Sequence, residues 1–342
     1  MKRRFLHIIL LLPMLLIYCR VSTMAQLVPN LGGQRAGISA MQFLKIGVGA
    51  RGVSMGESFV AVANDVSALF WNPAGLVLFP DNQAVFSRTE YVVNIKHDFV
   101  GAVYHLTDQD VIGASFTSLH MDDMEVTTET QPFGNGNYFK FGDVAVAVSY
   151  SKRMTEQFSF GATVRYAEET LDVLKMRAVM IDLGTWYSLG LGSARFAVVI
   201  SNFGGEVKPE GSVRSGNGTT VTSFQSFSVP TIFKLGIAFD PLNEEGHLLT
   251  TSVQLNHPND NSEHVRFGAE YGWNDMFFLR AGVKRTIGQP FFGADATSEE
   301  DFAAGAGVKL HLAGISTITV DYAFSNYQRL GGIHRISLGS SF

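Results

Sequence analysis

Four stretches of this chain alternate apolar and polar residues over about ten positions each, the length of one barrel strand across a membrane. From Phe158 the apolar set is Phe158, Phe160, Ala162, Val164 and Tyr166, with Ser159, Gly161, Thr163 and Arg165 between them. From Val265 it is Val265, Phe267, Ala269, Tyr271 and Trp273, against Arg266, Gly268, Glu270 and Gly272. Phe277, Leu279, Ala281 and Val283 repeat the pattern against Arg280, Gly282 and Lys284. From Phe302 to Leu312 it recurs with Lys309 and His311 on the polar face. Period two predicts strands whose two faces meet different surroundings. Charges confined to one face suit a closed barrel, with lipid on the apolar side and a lumen on the other. A soluble β-sandwich, the alternative, would turn its polar faces outward and use shorter strands.

Charged residues make up 17% of the chain, below the roughly 25% of a soluble domain. Past the first residues no run approaches the ~18 apolar positions of a membrane helix. An exported, apolar chain without a spanning helix points to strands as the crossing element. The first residues supply the export signal. Lys2, Arg3 and Arg4 precede the apolar run Phe5–Tyr18, and Thr23-Met24-Ala25 offers small side chains for cleavage before Gln26. The bulky Tyr18 before Cys19 is a poor match to a lipoprotein signal. Without residues 1–25 the chain has no cysteine, which excludes disulfides and thiol chemistry. The net charge of −5 and the lack of a basic stripe exclude nucleic acid as a partner.

About fourteen strands are expected, beginning near residues 82, 97, 110, 141, 157, 176, 194, 229, 246, 262, 275, 301, 315 and 332. An even count puts both ends of the barrel on one side. Short connectors at 107–109, 153–156, 190–193, 240–245 and 313–314 then share that side, and long ones at 120–140, 203–228 and 287–300 share the other. Short periplasmic turns and long outer loops are the usual asymmetry. Tyr166, Tyr271 and Trp273 are expected at strand ends, in an interfacial aromatic girdle. Phe342 closes the last strand.

Ahead of the first strand lies Asn64–Leu76. Asp65 reads as an N-cap with about one helical turn, Val66–Phe70, behind it. Asn72 reads as a second N-cap with Pro73 at the first helical position, and Gly75 as the positive-φ residue that ends the turn. Two such short helices cannot fold alone and need a container.

Asp65, Ser67, Ala68, Leu69, Trp71, Asn72, Pro73, Ala74, Gly75 and Leu76 resemble the DASALYWNPAGL signature of FadL-type outer-membrane channels. The lead-in Phe43–Arg51 and Met55–Ala63 resembles the PorV/PorQ branch of that superfamily, associated with type IX secretion. The close match covers about forty residues; the rest corresponds in architecture. The resemblance implies an all-β fold: a transmembrane, antiparallel β-barrel of about fourteen strands with a small N-terminal helical hatch in its lumen. The expected organisation is a signal peptide over 1–25, a hatch or plug over 26–80 and the barrel over 81–342. Asp65, Ser67, Trp71, Asn72, Pro73, Ala74 and Gly75 form the hatch motif. A cap on the periplasmic side is the alternative place for that segment.

Candidate catalytic chemistry is thin. No nucleophile, base and orienter can be placed together, so no enzymatic role is expected. The histidines lack metalloprotease spacing, and His120, Asp122, Asp123 and Glu125 do not follow calcium-loop spacing. No cofactor and no metal are expected. Arg165, Arg266, Glu270, Arg280 and Lys284 are the lumen-facing charges, set either to line a conduit or to pair inside a plugged barrel. The resemblance implies two functions. One is a partner of type IX secretion that helps exported proteins reach the surface, meeting secretion-machinery proteins and cargo. The other is a FadL-like channel for a hydrophobic small molecule. Both place the chain in outer-membrane lipid of a Gram-negative-type bacterium.

Overall fold

The computed structural model describes residues 39–214, 218–287, 302–312 and 316–342. The export signal, Cys19 and the first part of the expected plug fall outside them. Among the described residues the barrel strands are β1 (Gln83–Glu90), β2 (Lys96–His105), β3 (Asp110–His120), β4 (Phe141–Arg153), β5 (Phe158–Leu171), β6 (Leu174–Ser188) and β7 (Arg195–Gly204). They continue as β8 (Ile232–Glu244), β9 (His247–Pro258), β10 (His264–Trp273), β11 (Phe277–Thr286), β12 (Phe302–Leu312), β13 (Ser316–Asn326) and β14 (Gly332–Ser341). Each pairs antiparallel with the next, and β1 pairs with β14 from Gln83↔Ser341 to Glu90↔His334, closing the barrel. Closure matters because an open sheet edge in lipid would leave backbone groups without partners.

Alternation decides which side faces out. Phe160, Val164 and Tyr166 are 37, 56 and 43% exposed, whereas Ser159, Thr163 and Arg165 between them are at most 3% exposed. The apolar set therefore forms the outer wall and the polar set the inner one. Among the described residues the long connectors following β3 and β7 lie at the end opposite the termini, each with a two-stranded hairpin (Met124–Glu125 with Tyr138–Phe139, and Val213–Arg214 with Thr220–Val221), whereas the expected long connector at 287–300 falls almost wholly outside the described residues. That end is the outer one in barrels of this kind.

Two expectations need correction. β8 continues through 240–244, with a register shift between Phe239 and Leu242, so the turn shrinks to Glu245-Gly246. Pro241 donates no N–H, and a bulge absorbs it where a regular ladder cannot. Tyr166 lies inside β5, which runs on to Leu171, while Trp273 does end β10.

Ser39–Phe79 packs against the inner wall. Its regular pieces are a 3₁₀ turn at Gln42–Lys45, α1 (Ala50–Ser54), α2 (Ala68–Trp71) and a second 3₁₀ turn at Pro73–Val77. The apolar core lies here, inside the barrel. Val53, Phe59, Val60, Leu69, Trp71 and Leu76 cluster with the wall residues Phe99, Val103, Val111 and Val199. Met41, Phe43 and Leu44 cluster with Leu119, Ala145, Ala167 and Met180 nearer the outer end. α1 contacts β11–β14, and the Pro73–Val77 turn contacts β3–β6 on the far wall. The segment thus bridges the lumen from side to side.

Candidate functional site

The motif residues sit where this bridge meets the wall. Asn72 adopts an extended backbone, and its Oδ1 accepts the Ala74 N–H at 3.1 Å, capping the Pro73–Val77 turn. Its Nδ2 donates to the Val60 carbonyl at 2.9 Å and to the Thr185 carbonyl of β6 at 3.1 Å. One side chain thus caps a turn, ties two parts of the segment together and fastens both to the wall. Ser159 of β5 donates to the Ala74 carbonyl at 2.8 Å, and Arg153 of β4 donates to the Val77 carbonyl at 2.5 Å. Pro73 presses on Gly161 and Gly184, where a Cβ would overlap the Pro73-Ala74 backbone and the Asn72 amide, respectively.

Asp65 does not cap a helix directly. Its Oδ1 accepts the Ser67 N–H at 2.8 Å and the Ser67 hydroxyl at 2.5 Å, making a turn ahead of α2, whose first residue is Ala68 rather than Val66. A short carboxylate two residues before an N–H favours this local bond over helix continuation. Gly75 does not take a positive φ. It is small because the Ala63 carbonyl lies where its Cβ would be. Trp71 donates from Nε1 to the Val48 carbonyl at 3.0 Å and meets Phe59 and Phe70 edge to face. Lys234 of β8, 5% exposed, places its Nζ 5.7 and 5.9 Å from the Phe70 and Trp71 ring centres, within cation–π range.

Four of the lumen-facing charges, Arg165, Arg266, Glu270 and Arg280, make ion pairs within the described structure. Arg165 reaches Asp182 at 2.6 Å. The other oxygen of Asp182 accepts the N–H of Asn202, a left-handed residue in the β-bulge where Ser201 and Asn202 oppose Asp182. Arg266 pairs with Glu57, which follows Gly56 in a left-handed turn (φ 62° and 60°). Gly56 abuts the backbone of Gly282 and Val283, leaving no room for a Cβ. Arg51 of α1 grips both oxygens of Glu270 and also reaches Asp65 at 2.7 Å. Arg280 joins Glu270 at 2.5 Å and Asp321 at 2.6 Å. The result is a chain, Asp65–Arg51–Glu270–Arg280–Asp321, that ties the bridging segment to β10, β11 and β13. Lys284, the fifth charge, lines the outer cavity. Buried pairs add little net stability, but removing one partner is costly, so they hold position strongly.

The bridge divides the remaining space. Toward the outer loops lies a cavity of about 680 Å³, with Phe43, Lys45, Glu57, Asp143, Glu169, Arg266 and Lys284 in its lining. Toward the termini lie smaller ones of about 260 and 360 Å³, both touching Arg51, Asn64 and Glu270.

Residues 31–258, two thirds of the chain, match the family model described as type IX secretion system protein PorV. The chain belongs to this family. No curated protein matches it. Among solved structures, a FadL homologue of Pseudomonas aeruginosa is similar with a TM-score of 0.56 and 11% identity, over 86% of this chain and 97% of that one. The toluene transporter TbuX of Ralstonia pickettii and the monoaromatic hydrocarbon channel CymD each give 0.57 and 12% identity over the same shares. At such identity the likeness is one of fold. This PorV-family chain is therefore a FadL-like transmembrane barrel of the outer-membrane type. The family match takes in the whole bridging segment and runs to the end of β9.

Sequence reasoning missed Arg51, Glu57, Asp182 and Asp321 as partners of the charges it selected, and Lys234 over the Phe70 and Trp71 rings. Asp182, Lys234 and Asp321 carry a readable signal, since each is a charge at an inward position of an alternating strand. Arg51 and Glu57 sit in the lead-in with no periodicity to mark them.

Proposed function

We propose that this barrel is a partner of type IX protein secretion, helping exported proteins reach the cell surface, and that it does so by binding rather than by catalysis. The observation that carries this reading is the match of residues 31–258 to the PorV family. The crossed lumen supports it, because a plugged barrel offers a rigid outer rim and long loops to protein partners without needing a conduit. Ser39–Phe79 acts in this reading as a hatch, held by Asn72 and by the Arg51–Glu270 pair. The alternative is a channel for a hydrophobic small molecule. It is favoured by structural neighbours that are named as a toluene transporter and a monoaromatic hydrocarbon channel. The charged lining of the outer cavity weighs against it. Deleting the gene separates the two. The secretion reading expects cargo proteins trapped inside the cell and normal uptake of hydrophobes; the reverse pair of results would establish the channel instead.

A further inference from the structure

One corner of the outer cavity is chemically incomplete. Asp143 on β4 points inward, is 3% exposed and lines the cavity. Its Oδ1 has no hydrogen-bond partner among the described residues. Directly across the β4–β5 ladder stands Glu169, also on the cavity wall, whose Oε2 accepts the Met41 N–H at 2.6 Å. Facing residues on one side of a ladder have Cβ atoms about 5 Å apart, so two carboxylates share one site. Neither has a cationic partner among the described ion pairs, although every buried charge of the Arg51–Asp321 chain does. A buried carboxylate oxygen without a partner, beside a second carboxylate, is stabilised by a proton or by a cation placed between them.

The surroundings select the kind of cation. Among the described residues no three Asp, Glu, His or Cys side chains converge as a metal site requires. The space, about 680 Å³, suits an organic body rather than a bare ion. Phe43, Phe141, Tyr91 and Tyr327 supply aromatic surface around it, the last two edge to face at 5.9 Å. Aromatic faces favour ammonium and guanidinium groups. The opposite side of the cavity carries Lys45, bound to Asp260 at 2.9 Å, Arg266, bound to Glu57, and Lys284.

We propose that Asp143 and Glu169 form a binding site for a primary ammonium or guanidinium group entering from the outer end of the barrel. The site stands whether or not the barrel serves secretion. The group comes either from a basic side chain of a polypeptide or from a free amine. The full chain, purified in detergent, is titrated by calorimetry with N-acetyl-arginine amide, N-acetyl-lysine amide, putrescine and the neutral N-acetyl-norleucine amide. Saturable binding of a cationic probe, weakened at least about tenfold in Asp143→Asn as loss of a charge-assisted hydrogen bond implies, supports the site. Preference for the amino-acid amides assigns it to polypeptide side chains, and preference for putrescine to free amines. Glu169→Gln provides a second variant, expected to weaken binding in the same direction. Absence of saturable binding by every cationic probe, equal binding of the neutral amide, or binding unchanged in both variants would overturn the proposal.

Discussion

Arg51 and Glu270 meet as a two-pronged pair, with Nε and Nη2 of the arginine each 2.8 Å from a different carboxylate oxygen. One partner lies in α1 and the other in β10, so this contact joins the bridging segment to the wall across 219 positions of sequence. Glu270 is 5% exposed at its side chain and Arg51 21%. The flat fork also reaches Asn64 and Asp65. A lysine ammonium cannot hold that arrangement.

Arg51→Ala leaves Glu270 with Arg280 alone and takes the cationic partner from Asp65. The expected cost is about 3 kcal/mol, in the range for breaking a buried pair. Arg51→Lys should recover part of it. Thermal unfolding in detergent measures the loss, and protease cleavage within 39–79 shows whether the segment has come free. Wild-type behaviour of the alanine variant would mean the pair does not hold the segment.

Asn72→Ala removes the cap on the Pro73–Val77 turn and leaves the Val60 and Thr185 carbonyls short of a donor. The cap alone is worth about 0.5–2 kcal/mol, and the unpaired carbonyls add to that. Combined with Pro73→Gly, which frees a backbone angle the ring had fixed, it should speed cleavage within 39–79. The barrel should still assemble and resist detergent, because its ladder closes without this segment. Failure to assemble would show that the motif acts in folding.

Gly161→Ala drives a methyl into the Pro73-Ala74 backbone, whereas Gly205→Ala has nothing within 4 Å to meet. The first should destabilise by about 1–3 kcal/mol, the scale of overpacking, and the second should be close to neutral. Comparing heat-induced unfolding of the two variants checks the packing of the segment without altering any charge. Equal stability would place Pro73 away from the wall in solution.

Asp260, in the β9–β10 connector, accepts from Gln42 Nε2 at 2.7 Å and from Lys45 Nζ at 2.9 Å. Burial works to raise its carboxyl, but these hydrogen bonds and the nearby Lys45 charge outweigh it and hold the group below the usual carboxylate range. A carboxyl depressed on folding contributes stability that is present above its unfolded value, about 3.9, and is lost as pH falls through the folded value. Acidification below about pH 4 should therefore loosen the Gln42–Lys45 turn. Amide hydrogen exchange at 41–46, followed downward in pH, reads this directly. Asp260→Asn should exchange faster at neutral pH and show a much flatter acid response.

Val164 lies near the middle of β5, 56% exposed on the apolar face. Val164→Leu should be tolerated. Val164→Arg should cost about 2–4 kcal/mol if the position is at the bilayer midplane. Equilibrium unfolding from lipid vesicles measures both, and a neutral effect of the arginine would argue against lipid at that face.

The wall was legible because its signal is local and repeated. Phe158–Arg165 and Phe277–Lys284 state, two residues at a time, which side meets lipid, and the connector lengths orient the two ends. The Asn72-Pro73 cap was equally local, since its donor and acceptor are two residues apart. The inner contacts were not legible. Arg266 could be read as inward-facing, but nothing near it in sequence points to Glu57, 209 positions away. Gly75 looked like a helix stop because its own neighbours suggested one, whereas the nearby Ala63 carbonyl accounts for its size. Sequence periodicity reports the boundary between two solvents, which every strand crosses alone. Which charge meets which, and that Asp143 and Glu169 share one corner, depended on closing fourteen strands around a segment with no periodicity of its own.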